Sequence, residues 1–378
     1  MKKFGSLLLA AALSVSLLAG CGSAASTQTT AESTVSETTA AESTAAAEST
    51  AETSTEEAAS TQPQTETASE TQTGTEGSDD VTVRVGGLKG PTTMGLVKLM
   101  DDAENGSAQN QYEFTMVTAA DELTGLVANG SVDIALLPAN VASVLYHKTE
   151  GKVTVIDINT LGVLYLVSGD TSIDSIAQLK GKTVYLPGKG TTPEYVLRYL
   201  ISASGLSDTD VTLEFKSEAA EVASVLAEDP NAIGLLPQPF VTATLAQNDK
   251  LSAVVDLTKV WDSLQAEDSG SRLVTGVTIV NTDFLAAHKD AVDTFLSEHK
   301  ASIAYTQEDP DGAAALIEKA GIVAKAAIAK KALPACNITY LDGQEMKDAL
   351  NGYLSVLLEQ NPQSVGGSLP DDAFYYIP

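Results

Sequence analysis

The sequence predicts an α/β fold built from two related lobes, and two observations carry the prediction. From residue 81 onward, short Val, Ile and Leu runs alternate with amphipathic stretches between Gly- and Pro-rich breaks, the pattern of a mostly parallel sheet with helical crossovers. Two stretches of this region also repeat each other at one offset. Val81-Thr82-Val83-Arg84-Val85 leads through Gly86 to Thr93 into a helix-like run from Met94 to Leu99. Thr183-Val184-Tyr185-Leu186 leads through Pro187 to Thr192 into Pro193 to Leu200, and Thr92 and Thr191 stand 99 residues apart. Ile134-Ala135-Leu136-Leu137-Pro138, followed by Val141 and Leu145, is echoed by Ile233-Gly234-Leu235-Leu236-Pro237, followed by Val241 and Leu245, with Pro138 and Pro237 again 99 apart. Small-unit solenoids repeat about every 20 to 50 residues, which makes this offset the mark of a duplicated lobe.

At the start of the chain, Lys2 and Lys3 precede an apolar run from Leu7 to Leu18 that is too short to span a bilayer, which predicts a signal peptide over 1–20. The run ends in Leu18-Ala19-Gly20-Cys21-Gly22, which resembles the lipobox of bacterial lipoproteins. That resemblance implies lipidation of Cys21, which would become the mature N-terminus; the alternative is an ordinary secretory signal with an incidental cysteine. The other cysteine is Cys336, so a lipidated Cys21 leaves no internal disulfide. Residues 21–80 are almost entirely Ala, Ser, Thr, Glu and Gln, with Ala-Glu-Ser-Thr recurring at 31, 41 and 47. Such a segment buries too little apolar surface to offset chain entropy and is expected to form a disordered stalk. A tether of this length suits a thick cell wall, hence a Gram-positive host and a place on the extracytoplasmic face of the membrane, reached through the lipid anchor only.

The formal net charge is −28, and twelve of the acidic residues but none of the basic ones lie in the stalk. The remainder stays strongly acidic, which excludes nucleic acid as a partner because phosphates need Lys and Arg to neutralise them.

Ligands of open α/β sheets sit beyond the carboxyl ends of the strands. In this sequence those ends fall at 88–94, 137–141, 187–192 and 236–240, segments rich in Gly, Thr and Pro that suit close backbone approach to a ligand. The candidate binding residues are therefore Lys89, Thr92, Thr93, Met94, Pro138, Asn140, Gly188, Lys189, Thr191, Thr192, Gln238 and Pro239. Lys89 and Lys189 would meet an anion from opposite lobes, or else are solvated surface lysines. Asn140 and Gln238 would orient a polar group with paired donor and acceptor atoms, or else cap the helices that follow. Thr191 and Glu194 form a T-x-x-E capping box, unless Thr192 caps with Pro193 at the first helical position.

Catalysis has no candidate. Gly188-Lys189-Gly190-Thr191-Thr192 lacks the spacing of a P-loop, and neither a Gly-x-Ser-x-Gly elbow nor a Cys–His arrangement occurs. His147, His288 and His299 lie on helix-like segments without ligand spacing and are expected at the surface or at helix ends, so neither a metal nor a cofactor is expected. Trp261 is expected to pack in a loop or to stack on a ligand.

Taken together, Gly86 to Thr93, Val132-Asp133-Ile134-Ala135-Leu136-Leu137-Pro138, Leu179-Lys180-Gly181-Lys182-Thr183-Val184 and Gly234-Leu235-Leu236-Pro237-Gln238-Pro239 resemble the two-lobed solute-binding proteins of ABC importers. The group in question serves nitrate, sulfonate, taurine and thiamine-pyrimidine precursors. The resemblance covers roughly residues 81 to 360, and the phrase Gly90-Pro91-Thr92-Thr93-Met94 departs from it. It implies a type II periplasmic-binding-protein-like fold: two doubly wound lobes joined by two crossover strands near 159–166 and 271–277, with C-terminal helices returning to lobe one. Lobe one would be 81–162 plus 274–378 and lobe two 163–273. It further implies a monomer that closes by hinge motion on a small polar or heteroaromatic solute and docks on permease and ATPase subunits. The rivals are an enzyme of cofactor-precursor metabolism on the same fold and a sensory surface lipoprotein.

Overall fold

The computed structural model describes residues 81–265 and 270–378; the expected signal peptide, Cys21 and the stalk lie outside the described residues. The first repeat runs β1 (Thr82–Leu88), α1 (Pro91–Met94), α2 (Val97–Glu104), β2 (Gln111–Val117), α3 (Ala120–Ala128), β3 (Ile134–Pro138), α4 (Ala139–Lys148) and β4 (Val153–Leu161). After β5 (Leu164–Ser168), the second repeat runs β6 (Thr183–Leu186), α5 (Thr192–Ala203), β7 (Thr212–Phe215), α6 (Ala219–Glu228), β8 (Ile233–Pro237), α7 (Phe240–Gln247) and β9 (Ser252–Asp256). The chain continues through α8 (Leu257–Leu264), β10 (Val274–Asn281), α9 (Thr282–Ala287), α10 (Lys289–Glu308), α11 (Pro310–Lys319), α12 (Ala326–Ala332), β11 (Ile338–Leu341) and α13 (Gly343–Gln360). The starts of α3, β3 and β4 are each followed 99 residues later by those of α6, β8 and β9, so the sequence offset is also a structural one.

The strand orders make the duplication explicit: β11-β4-β10-β3-β1-β2 in one sheet and β7-β6-β8-β5-β9 in the other. In both, the repeat's own first three strands pair in parallel. Each sheet then takes in one antiparallel strand that follows the other repeat in sequence. β5 follows β4 but pairs with β8 and β9, and β10 follows β9 and α8 but pairs with β3 and β4. The mostly parallel sheet expected from periodicity is thus interrupted at its fourth position. Periodicity reports which face of a strand is buried and says nothing about its direction.

The central strands are buried on both faces, which is why Ile134-Ala135-Leu136-Leu137 and its repeat read as continuous apolar runs. Leu123, Leu145, Met346 and Tyr353 belong to one core cluster, which also contains Val155 and Val277; Leu96, Leu99, Val292 and Phe295 belong to another, with Val83 and Ile134. Helix starts use local polar chemistry: Asp256 accepts from the amides of Thr258 and Lys259, and Asn281 from those of Asp283 and Phe284. At α5 the expected capping box is not formed. The Thr191 hydroxyl turns back to Gly188 O at 2.7 Å, and Glu194 instead accepts from the Gly190 amide at 2.8 Å.

In β10, which returns the chain to the first sheet between β3 and β4, only glycine fits at position 276. A Cβ there would stand 2.4 Å from Thr92 Cγ2 and 2.6 Å from Asn159 Oδ1. Gly276→Ala is expected to destabilise the fold by about 1–3 kcal/mol through overpacking, measured by denaturant unfolding.

Two aromatic side chains depart from expectation. His299 is neither at the surface nor at a helix end: it is fully buried in α10, with Nδ1 3.1 Å from Asp157 Oδ2 on β4. Trp261 lies on α8 rather than in a loop and is fully buried between Tyr199 and Tyr353, with ring centroids 4.8 and 5.4 Å away.

Candidate functional site

The strand-end loops of the two sheets meet at Asn140. Its position follows from β3, whose buried run ends at Pro138 and turns directly into α4, placing Asn140 in the helix's first turn with no solvent exposure. From there Asn140 Nδ2 donates to Gly190 O, in the loop after β6, at 3.2 Å, and to Ser364 O near the C-terminus, also at 3.2 Å. Its Oδ1 accepts from Thr192 Oγ1 at 3.5 Å, and the Tyr353 hydroxyl reaches Thr192 Oγ1 at 3.5 Å. One side chain therefore ties the first sheet, the second sheet and the C-terminal segment together, using both halves of the carboxamide.

The remaining candidates are distributed around this seam or away from it. Gly188 and Gly190 adopt positive φ of 74° and 75°, and a Cβ on Gly188 would stand 2.5 Å from Thr191 Oγ1, so the 187–192 loop depends on its glycines. Thr92 packs on Gly276, its buried hydroxyl without a hydrogen-bond partner among the described residues, whereas the Thr93 hydroxyl is used locally, donating to Leu88 O at 2.6 Å. Met94 is fully buried in a core cluster with Ile303, Ile317 and Cys336 and is not brought to the seam by any described contact. Gln238 Oε1 accepts from the Thr242 amide and hydroxyl, which is the helix-start role weighed for it. Pro138 is half-buried at the end of β3, and Pro239 lines a hollow of about 500 Å³ between α6, α7 and residues 322–324. Lys89 is exposed, and Lys189 is exposed with its ammonium 5.6 Å from the centre of the Phe215 ring.

Sequence reasoning missed the C-terminal contribution. Tyr353 and Ser364 lie outside the duplicated region and carry no motif, so nothing in their local sequence announces them. It also missed a buried polar chain along the crossing strands. Asp157 takes the Thr278 hydroxyl at 2.8 Å, Asn159 donates to Thr278 Oγ1 at 3.1 Å, and Thr160 donates to Asn159 Oδ1 at 2.9 Å. Buried polar groups of this kind hold a unique register because each partner is costly to lose. The Cys336 thiol is driven up to about 12 by burial, which suits a packed side chain and not a nucleophile.

Solved structures share this architecture. An ABC transporter structure from Parabacteroides distasonis is 26% identical, covering 79% of this chain and 99% of that one, with a TM-score of 0.64. The periplasmic aliphatic sulphonate binding protein SsuA from Escherichia coli is 16% identical over 78% of this chain and 93% of that one, with a TM-score of 0.62. The periplasmic nitrate-binding protein NrtA from Synechocystis is 12% identical over 70% and 74%, with a TM-score of 0.52. No curated protein matches the sequence. The fold is therefore that of the type II periplasmic binding proteins, with two sheets of matching order joined by exchanged strands. The family model described as NMT1/THI5 like matches residues 113–313, more than half of the chain, from β2 of the first repeat through the whole of the second, and the chain belongs to this family.

Proposed function

We propose that this chain is the extracytoplasmic solute-binding component of an ABC importer, which captures a small polar solute between two lobes and converts nothing. Lobe one is 81–162 plus 274–378 and lobe two is 163–273, hinged near 159–166, where β4 runs into β5, and near 271–277, at the start of β10. Cys21 carries the lipid anchor on the outer face of a Gram-positive membrane, and the monomer delivers its solute to permease and ATPase subunits. The structural relatives named above include an ABC transporter protein, a sulphonate binder and a nitrate binder, and their shared fold supports the reading.

The observation that carries it is Asn140, which bonds to Gly190 O of the other sheet from a fully buried position. Opening the seam frees both halves of that carboxamide, and a solute entering between them takes up the same donors and acceptors as the lobes close. Native mass spectrometry of the mature chain, purified gently, is expected to show one small molecule per protein. Asn140→Leu is expected to weaken its binding by about tenfold or more, since two hydrogen bonds of ordinary net strength are removed. A solute that is released chemically changed would replace the transport reading with the enzyme one.

A further inference from the structure

The C-terminal segment touches both sides of the seam. α13 lies against β4 and β10 of the first sheet and against α5, which follows β6 of the second. Midway along it, Gly352 faces the chain just before β10 so closely that a Cβ there would stand 2.9 Å from Ser271 Cα. The next residue, Tyr353, is fully buried against Trp261 of α8 and reaches Thr192 of α5. Beyond α13, a 3₁₀ turn at Pro362–Val365 comes back to the first repeat and packs on α4. There the fully buried Ser143 hydroxyl donates to Val365 O at 2.6 Å, and Ser364 Oγ ties the turn to Asn361 O at 2.6 Å.

This arrangement bears on Asn140. A carboxamide has two N–H donors, and both are directed at carbonyls of the chain itself, Gly190 O across the seam and Ser364 O in the turn. A solute acceptor gains a donor from Asn140 Nδ2 only by displacing one of them. Closure of the seam, by contrast, is achieved by the chain's own groups: its polar atoms satisfy one another, and Tyr353 packs on Trp261.

Building on the solute-binding reading, we propose that α13 and the turn at 362–365 form a built-in latch that competes with the solute for Asn140. The latch holds the seam shut, and capture of the solute requires its release. The apparent affinity is then the intrinsic affinity scaled by the fraction of molecules in which the latch is open, so residues away from the solute set how tightly it is held. Ser143 is such a residue, because it anchors the turn from the first-repeat side.

The test follows hydrogen–deuterium exchange in the mature full chain, dialysed until native mass spectrometry shows no bound molecule. In the wild type, amides of 188–195 are expected to exchange faster than those of β1 and β8, through opening of the seam alone. Ser143→Ala is expected to speed exchange at 188–195 about fivefold, the effect of one hydrogen bond of ordinary net strength on that opening. Asn361→Ala, which removes the acceptor of the Gln363 amide at 3.1 Å and loosens the turn from a half-buried position, is expected to act in the same direction. The molecule that copurifies with the wild type, added back, is expected to bind Ser143→Ala about fivefold more tightly.

Three results overturn the latch and leave the solute-binding reading standing: wild-type exchange at 188–195 as slow as in β1 and β8, unchanged exchange there in both variants, or equal or weaker binding of the copurified molecule by Ser143→Ala. If the exchange pattern holds in a chain that carries no small molecule and captures none from a panel, the solute-binding reading falls, and the competition for Asn140 with it.

Discussion

Tyr353→Ala is expected to lower the unfolding free energy by about 3–5 kcal/mol, the cost of emptying a fully buried aromatic position. The side chain has no solvent exposure and packs on the Trp261 ring at 5.4 Å, so its removal opens a void where α13 meets α5 and α8. Its hydroxyl makes one long bond, 3.5 Å to Thr192 Oγ1, and burial raises the phenol's pKa well above its ordinary value. Tyr353→Phe should therefore cost about 1 kcal/mol or less, because it removes a weak bond and leaves the packing intact. Urea unfolding of the two variants separates these contributions. If alanine and phenylalanine cost the same, the hydroxyl and not the ring is what holds the C-terminal helix to the second sheet.

Asp157→Ala comes next in expected size, again about 3–5 kcal/mol. Asp157 is fully buried on β4, accepts the Thr278 hydroxyl at 2.8 Å and meets His299 Nδ1 at 3.1 Å. Alanine leaves both partners inside the protein without an acceptor, and His299 Nε2 already has none among the described residues. Replacing both members, as Asp157→Leu with His299→Leu, is expected to recover part of the loss, because two apolar groups leave fewer stranded polar atoms than one orphan. The double variant being less stable than Asp157→Ala would show that the pair contributes more than mutual satisfaction.

The duplicated architecture was legible because its signal is local and repeated. Pro138 and Pro237 end equivalent buried strands, and the glycines around Gly188 and Gly190 mark a loop that only positive φ can form. Of the candidate site, Asn140, the Gly188–Thr192 loop and Thr92 follow from the rule that strand ends face the ligand. Met94 followed from the same rule and sits in the core instead. The rule locates a segment, whereas the side chain's direction depends on the helix that packs over it.

Direction and distant partners belonged to the tertiary structure. Whether β5 and β10 run parallel or antiparallel is set by which sheet receives them, and no residue within either strand encodes that choice. His299 looked like a surface residue until Asp157, 142 positions away, supplied the polar partner that makes its burial tolerable. In the same way, Glu194 reads as half of a capping box until the loop folds, presents the Gly190 amide in place of the Thr191 amide, and turns the Thr191 hydroxyl back to Gly188 O. Periodicity, turn residues and helix starts are properties of neighbouring residues and can be read along the chain. Buried polar pairing and the charge of a cleft arise from residues brought together across it, and only the folded chain decides them.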